Sequence, residues 1–145
     1  MPGMHTLRAM TEGDYDRVLD LWKGTEAMEL GPDDSREAIG RFLKRNPGFS
    51  TVALEDGRII GAVLCGHDSR RGYMHHLAVE RTRRGRGTGT ALAKHCMELL
   101  RGAGVHRFTI FLYHSNPKGR RFWEKLGWEA REDIFLMQTV LDEGK

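Results

Sequence analysis

Apolar and polar positions alternate along MHTLRAM (residues 4–10), the period of a half-buried strand. Thr11 and Asp14 then take the spacing of a capping box, and Tyr15, Val18, Leu19 and Trp22 fall on one helical stripe. GTEAMELGPDD (24–34) breaks that period. A second helix is predicted from Ser35 to Arg45, with Ile39, Phe42 and Leu43 apolar, and NPG stops it. Two β-rich runs flank Asp56-Gly57, the residue pair of a tight hairpin. RGYMHHLAV (71–79) predicts a fourth strand, and a helix from about Gly87 to Arg101 carries Leu92, Cys96, Leu99 and Leu100 before GAG ends it. HRFTIFLY (106–113) is a fifth strand, HSNPKG a turn, RRFWEKLG (120–127) a short helix closed by Gly127, and DIFLMQTV (133–140) a last strand. The order is β-α-α-β-β-β-α-β-α-β. The hairpin supplies antiparallel pairing and the strand–helix–strand crossover a parallel pair. The pattern therefore predicts an α/β (α+β) fold, a mixed central β-sheet flanked by about four helices.

Composition narrows the class without changing that picture. A chain of 145 residues fits one domain spanning 1–145, and 39% apolar with 30% charged residues reads as soluble and globular. The longest apolar run, IIGAVLC, is far shorter than a membrane span, and the first ten residues lack the apolar core of a signal peptide. Cys65 and Cys96 sit in apolar settings with no metal-like spacing, which reads as two reduced core thiols. The expectation is a cytoplasmic protein with no metal and no membrane partner. The net charge of +3 is mild and suits an anionic ligand.

The chemistry concentrates in RRGRGTGT (83–90), which joins a strand end to a helix start. Amides at a helix start lack internal partners and sit at the positive end of the helix dipole. Glycines let a ligand come close to them, so the stretch is a candidate anion cradle. It is not a P-loop, because no Lys-Ser or Lys-Thr follows the glycines. It is a weak dinucleotide match, because Gly85-x-Gly87-x-Gly89 has the wrong spacing and no acidic residue follows at the required distance. As a nucleic-acid patch it lacks interleaved aromatics.

Arg84-x-x-Gly87-x-Gly89 matches the (Q/R)xxGx(G/A) signature of the GNAT acetyltransferase superfamily. HHLAVERTRRGRGTGTALAKHCMELL resembles that family's long central motif. NPKGRRFWEKLGW resembles its downstream element, with Asn116, Gly119, Trp123, Gly127 and Trp128 on the family positions. CGHDSRRGYMHHLAV is more loosely similar to the bacterial YpeA-type acetyltransferases. The resemblance implies a GNAT fold over nearly the whole chain and acetyl-CoA as co-substrate. Backbone amides of Arg84, Gly85, Arg86, Gly87, Thr88, Gly89 and Thr90 would receive the pyrophosphate. Leu77, Ala78 and Val79 would lie along the pantetheine arm, and Asn116 would hydrogen-bond the cofactor. Family members often dimerise, so a homodimer is also implied.

The implied reaction is acetyl transfer to a primary amine, of a small molecule or a peptide, by direct attack in a ternary complex. It needs a group that takes the amine's proton, a donor for the oxyanion near Val79, and a proton source for the thiolate. The chain departs from the family here. Trp123 stands where a tyrosine often supplies the acid, and indole cannot deliver a proton at neutral pH. Phe111 stands where ribosomal-protein acetyltransferases carry glutamate. Trp123 is expected to shape the thioester pocket, and Tyr73 or His75, on the cofactor strand beside His76, to relay the proton. Strict strand alternation would put His75 and His76 on opposite faces. The acidic residues Glu26, Glu29, Asp33 and Asp34 could draw a cationic amine. Two other readings stand beside the enzyme: an acyl-CoA-binding module with little transferase activity, motivated by the missing Tyr and Glu, and a nucleic-acid-binding protein using RTRRGR.

Overall fold

A computed structural model describes residues 5–141. Met4 and the chain ends of the expected 1–145 domain lie outside the described residues. Five strands form one sheet in the order β1-β2-β3-β4-β5: β1 Thr6–Ala9, β2 Thr51–Glu55, β3 Arg58–His67, β4 Gly72–Val79 and β5 Phe108–Thr109. The first four pair antiparallel and β5 runs parallel to β4. Four α-helices flank the sheet: α1 Tyr15–Lys23, α2 Arg36–Arg45, α3 Thr88–Gly102 and α4 Pro117–Lys125. None of the described helices is long and apolar enough to cross a membrane.

β3 explains the unbroken apolar run IIGAVLC. It is central, so successive residues face opposite cores. Ile60, Val63 and Cys65 pack with Leu92, Cys96 and Leu100 of α3, while Ala62 and Leu64 pack with Val18 and Trp22 of α1 and Ile39 of α2. The β2–β3 turn has positive φ at both Asp56 (52°) and Gly57 (76°), as a two-residue hairpin turn demands. Ser35 caps α2 by accepting a hydrogen bond from the Ala38 amide at 3.1 Å.

The largest departure from regular pairing lies in β4. Ala62 pairs with Ala78 but Leu64 pairs with His75, so Val63 faces both His76 and Leu77. This is a β-bulge, and His76 carries its strain with φ +54°. Trp22, fully buried, stabilises it: its indole Nε1 donates to the His76 carbonyl at 3.0 Å, and its ring lies 4.9 Å from the imidazole.

The bulge corrects two sequence expectations. His75 and His76 do not face opposite sides of the sheet. Both turn toward α1 and α2, His75 against Phe42 and His76 against Trp22, because the extra residue cancels one step of alternation. The fifth strand is also shorter than 106–113. Pairing is confined to Gly72–Phe108 and Tyr73–Thr109, because β4 bends away beyond them. The last expected strand, 133–140, does not form. Phe135, Met137 and Val140 are exposed, since apolar content makes a strand only where a partner ladder is available. The last helix begins at Pro117 rather than 120, with Asn116 as its cap.

Replacing Trp22 with Phe keeps a large apolar ring but leaves the His76 carbonyl without its donor. The expected cost is about 1–3 kcal/mol, read as a lower urea midpoint at unchanged m-value. An unaltered midpoint would show that the indole does not hold the bulge.

Candidate active site

Because the pairing of β4 with β5 ends at Tyr73, the sheet has a gap beyond it. A cleft of about 850 Å³ follows it. One wall is β4 from Met74 to Val79, the other is residues 110–113, and the far end is closed by α4 and the loop at the start of α3. The β4 edge facing this gap has no strand partner beyond Tyr73.

The loop earns its glycines by conformation. Gly85 and Gly87 have φ of +81° and +83°, which side-chain-bearing residues adopt only with strain. Gly87 is the residue before α3, and the first helical bond recorded there runs from the Ala91 amide to the Gly87 carbonyl at 2.9 Å. The amides of Thr88, Gly89 and Thr90 therefore precede the helical ladder and border the cleft. Thr88 is itself buried, while Gly89 faces Phe122 and Val79 across the cleft end.

The loop arginines are tied down. Arg84 bonds Glu26 through both terminal nitrogens (2.9 and 3.2 Å) and the Val79 carbonyl through Nε (2.9 Å). Arg81 lies 3.6 Å from Glu26. Arg83 and Arg86 share Glu55, at 2.6 and 3.2 Å. Four arginines against two glutamates leave the loop net positive. The Arg84 guanidinium holds the Glu26 carboxyl down to about 2. Sequence reasoning missed both glutamates as loop partners. Glu55 gives no signal beyond preceding a turn, and Glu26 stood out only as part of an acidic stretch.

Asn116 caps α4, its Oδ1 accepting from the Gly119 amide at 2.9 Å. A Cβ at Gly119 would come within 2.5 Å of Asn116 Nδ2, so glycine there lets the cap fold over the helix start. Trp123 is 6% exposed, packs edge-on against Trp128 with ring centroids 4.7 Å apart, and shows one side to the cleft. Leu77 and Val79 pack against the α3-side core while Ala78 joins the opposite one, and all three line the cleft.

Tyr73 and His75 lie on the α1/α2 side, their rings stacked 6.2 Å apart, and Phe111 stacks on His75 at 5.8 Å. Burial, and then the neighbouring His76, push the His75 pKa below its ordinary value, so the ring is neutral at pH 7. His76 has a firmer partner: its Nε2 lies 2.9 Å from Asp34 Oδ1, with both side chains largely buried. A carboxylate only accepts, so Nε2 is the donor in this contact. Sequence reasoning gave Asp34 only as one of four acidic residues that could draw a cationic amine, because the bulge that turns His76 toward Asp34 has no periodic signature. Among the described residues, no group of three His, Cys, Asp or Glu could hold a metal ion.

Comparison with known proteins agrees with this geometry. The model of the Acetyltransferase (GNAT) family matches residues 15–128. An acetyltransferase of Yersinia pestis (strain Pestoides F) is 29% identical over 135 residues, spanning 93% of this chain and 95% of that protein. The crystal structure of the PaiA N-acetyltransferase of Thermoplasma acidophilum in complex with coenzyme A superposes with a TM-score of 0.77 at 15% identity, covering 90% of this chain and 93% of that one. An aminoglycoside acetyltransferase from an uncultured soil metagenomic sample, in complex with sisomicin, gives 0.72 at 15% identity, covering 95% and 97%.

His75 makes stability pH-dependent in a defined direction. Unfolded, it takes up a proton near 6.5; folded, only at lower pH. Its contribution is complete above pH 6.5 and is lost as pH falls through the folded value, because the unfolded chain then binds more protons. Urea midpoints measured between pH 7.5 and 5 should therefore decline less in His75→Gln than in the parent. Parallel declines would refute a desolvated His75.

Proposed function

The chain belongs to the GNAT acetyltransferase family, and from that premise we propose that it transfers the acetyl group of acetyl-CoA to a primary amine by direct attack in a ternary complex. The observation that carries the reading is the join of two features: free helix-start amides at residues 88–90, and a strand gap leading from them past β4. When bound, acetyl-CoA supplies the activated acyl group.

The chain's residues fit that co-substrate. Amides of Arg84 through Thr90 would take the pyrophosphate, with the net positive loop adding charge. The unpaired edge of β4 at Leu77, Ala78 and Val79 would bond the amides of the pantetheine arm as an added strand does. Asn116 Nδ2 would donate to the arm, and Trp123 would wall the thioester end. A β4 amide near Val79 would stabilise the oxyanion.

On the acceptor side, one proton leaves the ammonium before attack. A second leaves the nitrogen as the N–C bond forms and the C–S bond breaks, and it ends on the departing sulfur. Tyr73 and His75 stand on this face, and a neutral His75 is in the protonation state that accepts. A binding module without turnover is the second reading. It is favoured by Phe111, which covers His75 with an apolar ring, and by Trp123 in place of a proton donor.

Two measurements test this. Calorimetry should show acetyl-CoA binding that weakens about tenfold or more in Gly89→Val. A Cβ there meets only ordinary contacts with Phe122 and Val79, so the melting temperature should hold while the cleft end narrows. Coenzyme A release with a panel of amines should detect turnover, and His75→Ala combined with Tyr73→Phe should lower kcat/KM about a hundredfold. Binding without release from any amine would leave the binding module. An unchanged kcat/KM in the double variant would remove Tyr73 and His75 from the proton path.

A further inference from the structure

Arg84 lines the cleft, yet no edge of its guanidinium has both donors unengaged. Nη1 and Nη2 bond the two oxygens of Glu26 at 3.2 and 2.9 Å, and Nε bonds the Val79 carbonyl at 2.9 Å. A guanidinium grips a phosphate with two parallel N–H bonds from one edge, either Nη1 with Nη2 or Nε with one Nη. Here the first edge holds a carboxylate, and the second is shared with a peptide carbonyl. Both side chains of the Glu26–Arg84 contact are partly exposed, so the contact can exchange for a stronger anion.

Glu26 belongs to the connection between α1 and α2, which lines the cleft from Thr25 to Glu29. The next residue, Ala27, has φ +62°, a left-handed conformation that a Cβ disfavours and that persists only where the surroundings impose it. Among the described residues, Glu26, Ala27 and Met28 make no backbone–backbone hydrogen bond that could do so. Side chains fasten the connection instead. Glu26 meets Arg84 and Arg81 at one end, and Glu29 Oε1 accepts from Tyr113 Oη at 3.4 Å at the other.

We propose that Glu26 is a positioning residue that acts through Arg84: its carboxylate competes with the pyrophosphate of acetyl-CoA for one edge of the guanidinium, and yields that edge as the co-substrate binds. The inference rests on the transferase reading above. A pyrophosphate brings two negative charges to the helix-start amides, against one on Glu26, so the exchange runs toward the co-substrate. Glu26 keeps Arg81, but the strained turn at Ala27 loses the firmer of the contacts that hold it. The cleft lining from Thr25 to Met28 therefore loosens as acetyl-CoA arrives. By linkage, whatever tightens that lining weakens the hold on acetyl-CoA by the same factor.

Calorimetry with acetyl-CoA on the full chain tests this in a cycle of Glu26→Gln, Arg84→Gln and the two together. Glu26→Gln should bind acetyl-CoA about tenfold more tightly than the parent, because one competing charge at contact distance is gone. In the Arg84→Gln background the same change should gain less than about twofold, since no guanidinium remains to be released. Glu26→Asp keeps the charge and should stay within about threefold of the parent. Backbone order parameters from NMR give a readout independent of affinity. Residues 25–28 should lose order when acetyl-CoA is added to the parent, and should already have lost it in Glu26→Gln alone. Equal or weaker binding by Glu26→Gln, a full gain that persists without Arg84, or order in residues 25–28 that acetyl-CoA leaves unchanged or raises would overturn the competition and leave the transferase reading standing. Failure of the parent to bind acetyl-CoA would overturn both.

Discussion

One hydrogen bond organises the working part of this molecule. The indole of Trp22, buried under α1, donates to the carbonyl of His76. That contact holds a residue with φ +54° in the middle of a strand, a conformation that costs about 1–3 kcal/mol without compensation. The bulge it stabilises lies in the part of β4 that lines the cleft, beyond Tyr73, where the pairing with β5 ends. It also turns two adjacent histidines to one side. A regular β4 would have sent one imidazole to the α3 side of the sheet.

Electrostatics set a second constraint. The loop before α3 concentrates arginines beside backbone amides that carry partial positive charge, an arrangement that repels itself in the absence of an anion. Glu26 and Glu55 relieve that repulsion from either side, one from the α1–α2 connection and one from the end of β2. The connection is thereby fastened to the loop, so two parts of the cleft lining are joined through charge. Because these glutamates are exposed or partly exposed, their effect is felt more in where the loop rests than in overall stability.

Much of the fold was legible in the residue pattern. The Asp56-Gly57 hairpin, the capped α2, the continuous apolar β3 and the glycine turn before α3 all depend on local chemistry: turn residues, caps, and the period of burial. The misreadings share a different origin. HRFTIFLY and DIFLMQTV have the composition of strands, yet one pairs over two residues and the other over none. Strand formation depends on a partner edge, and composition does not say whether that edge is straight, bent or already occupied.

The candidate site divides the same way. By itself the sequence determined the glycine turn before α3 and the helix start that follows it, because both are local features that the order of residues specifies. The cap at Asn116 emerged only with the structure, where the helix starts at Pro117 rather than at 120. Only the tertiary structure decided which side His76 faces, that Asp34 meets it across 42 positions of chain, and that Glu26 is held by the loop arginines. The first two follow from a single extra residue in one strand. A bulge reverses side-chain direction without altering composition or spacing, so no periodic pattern can report it.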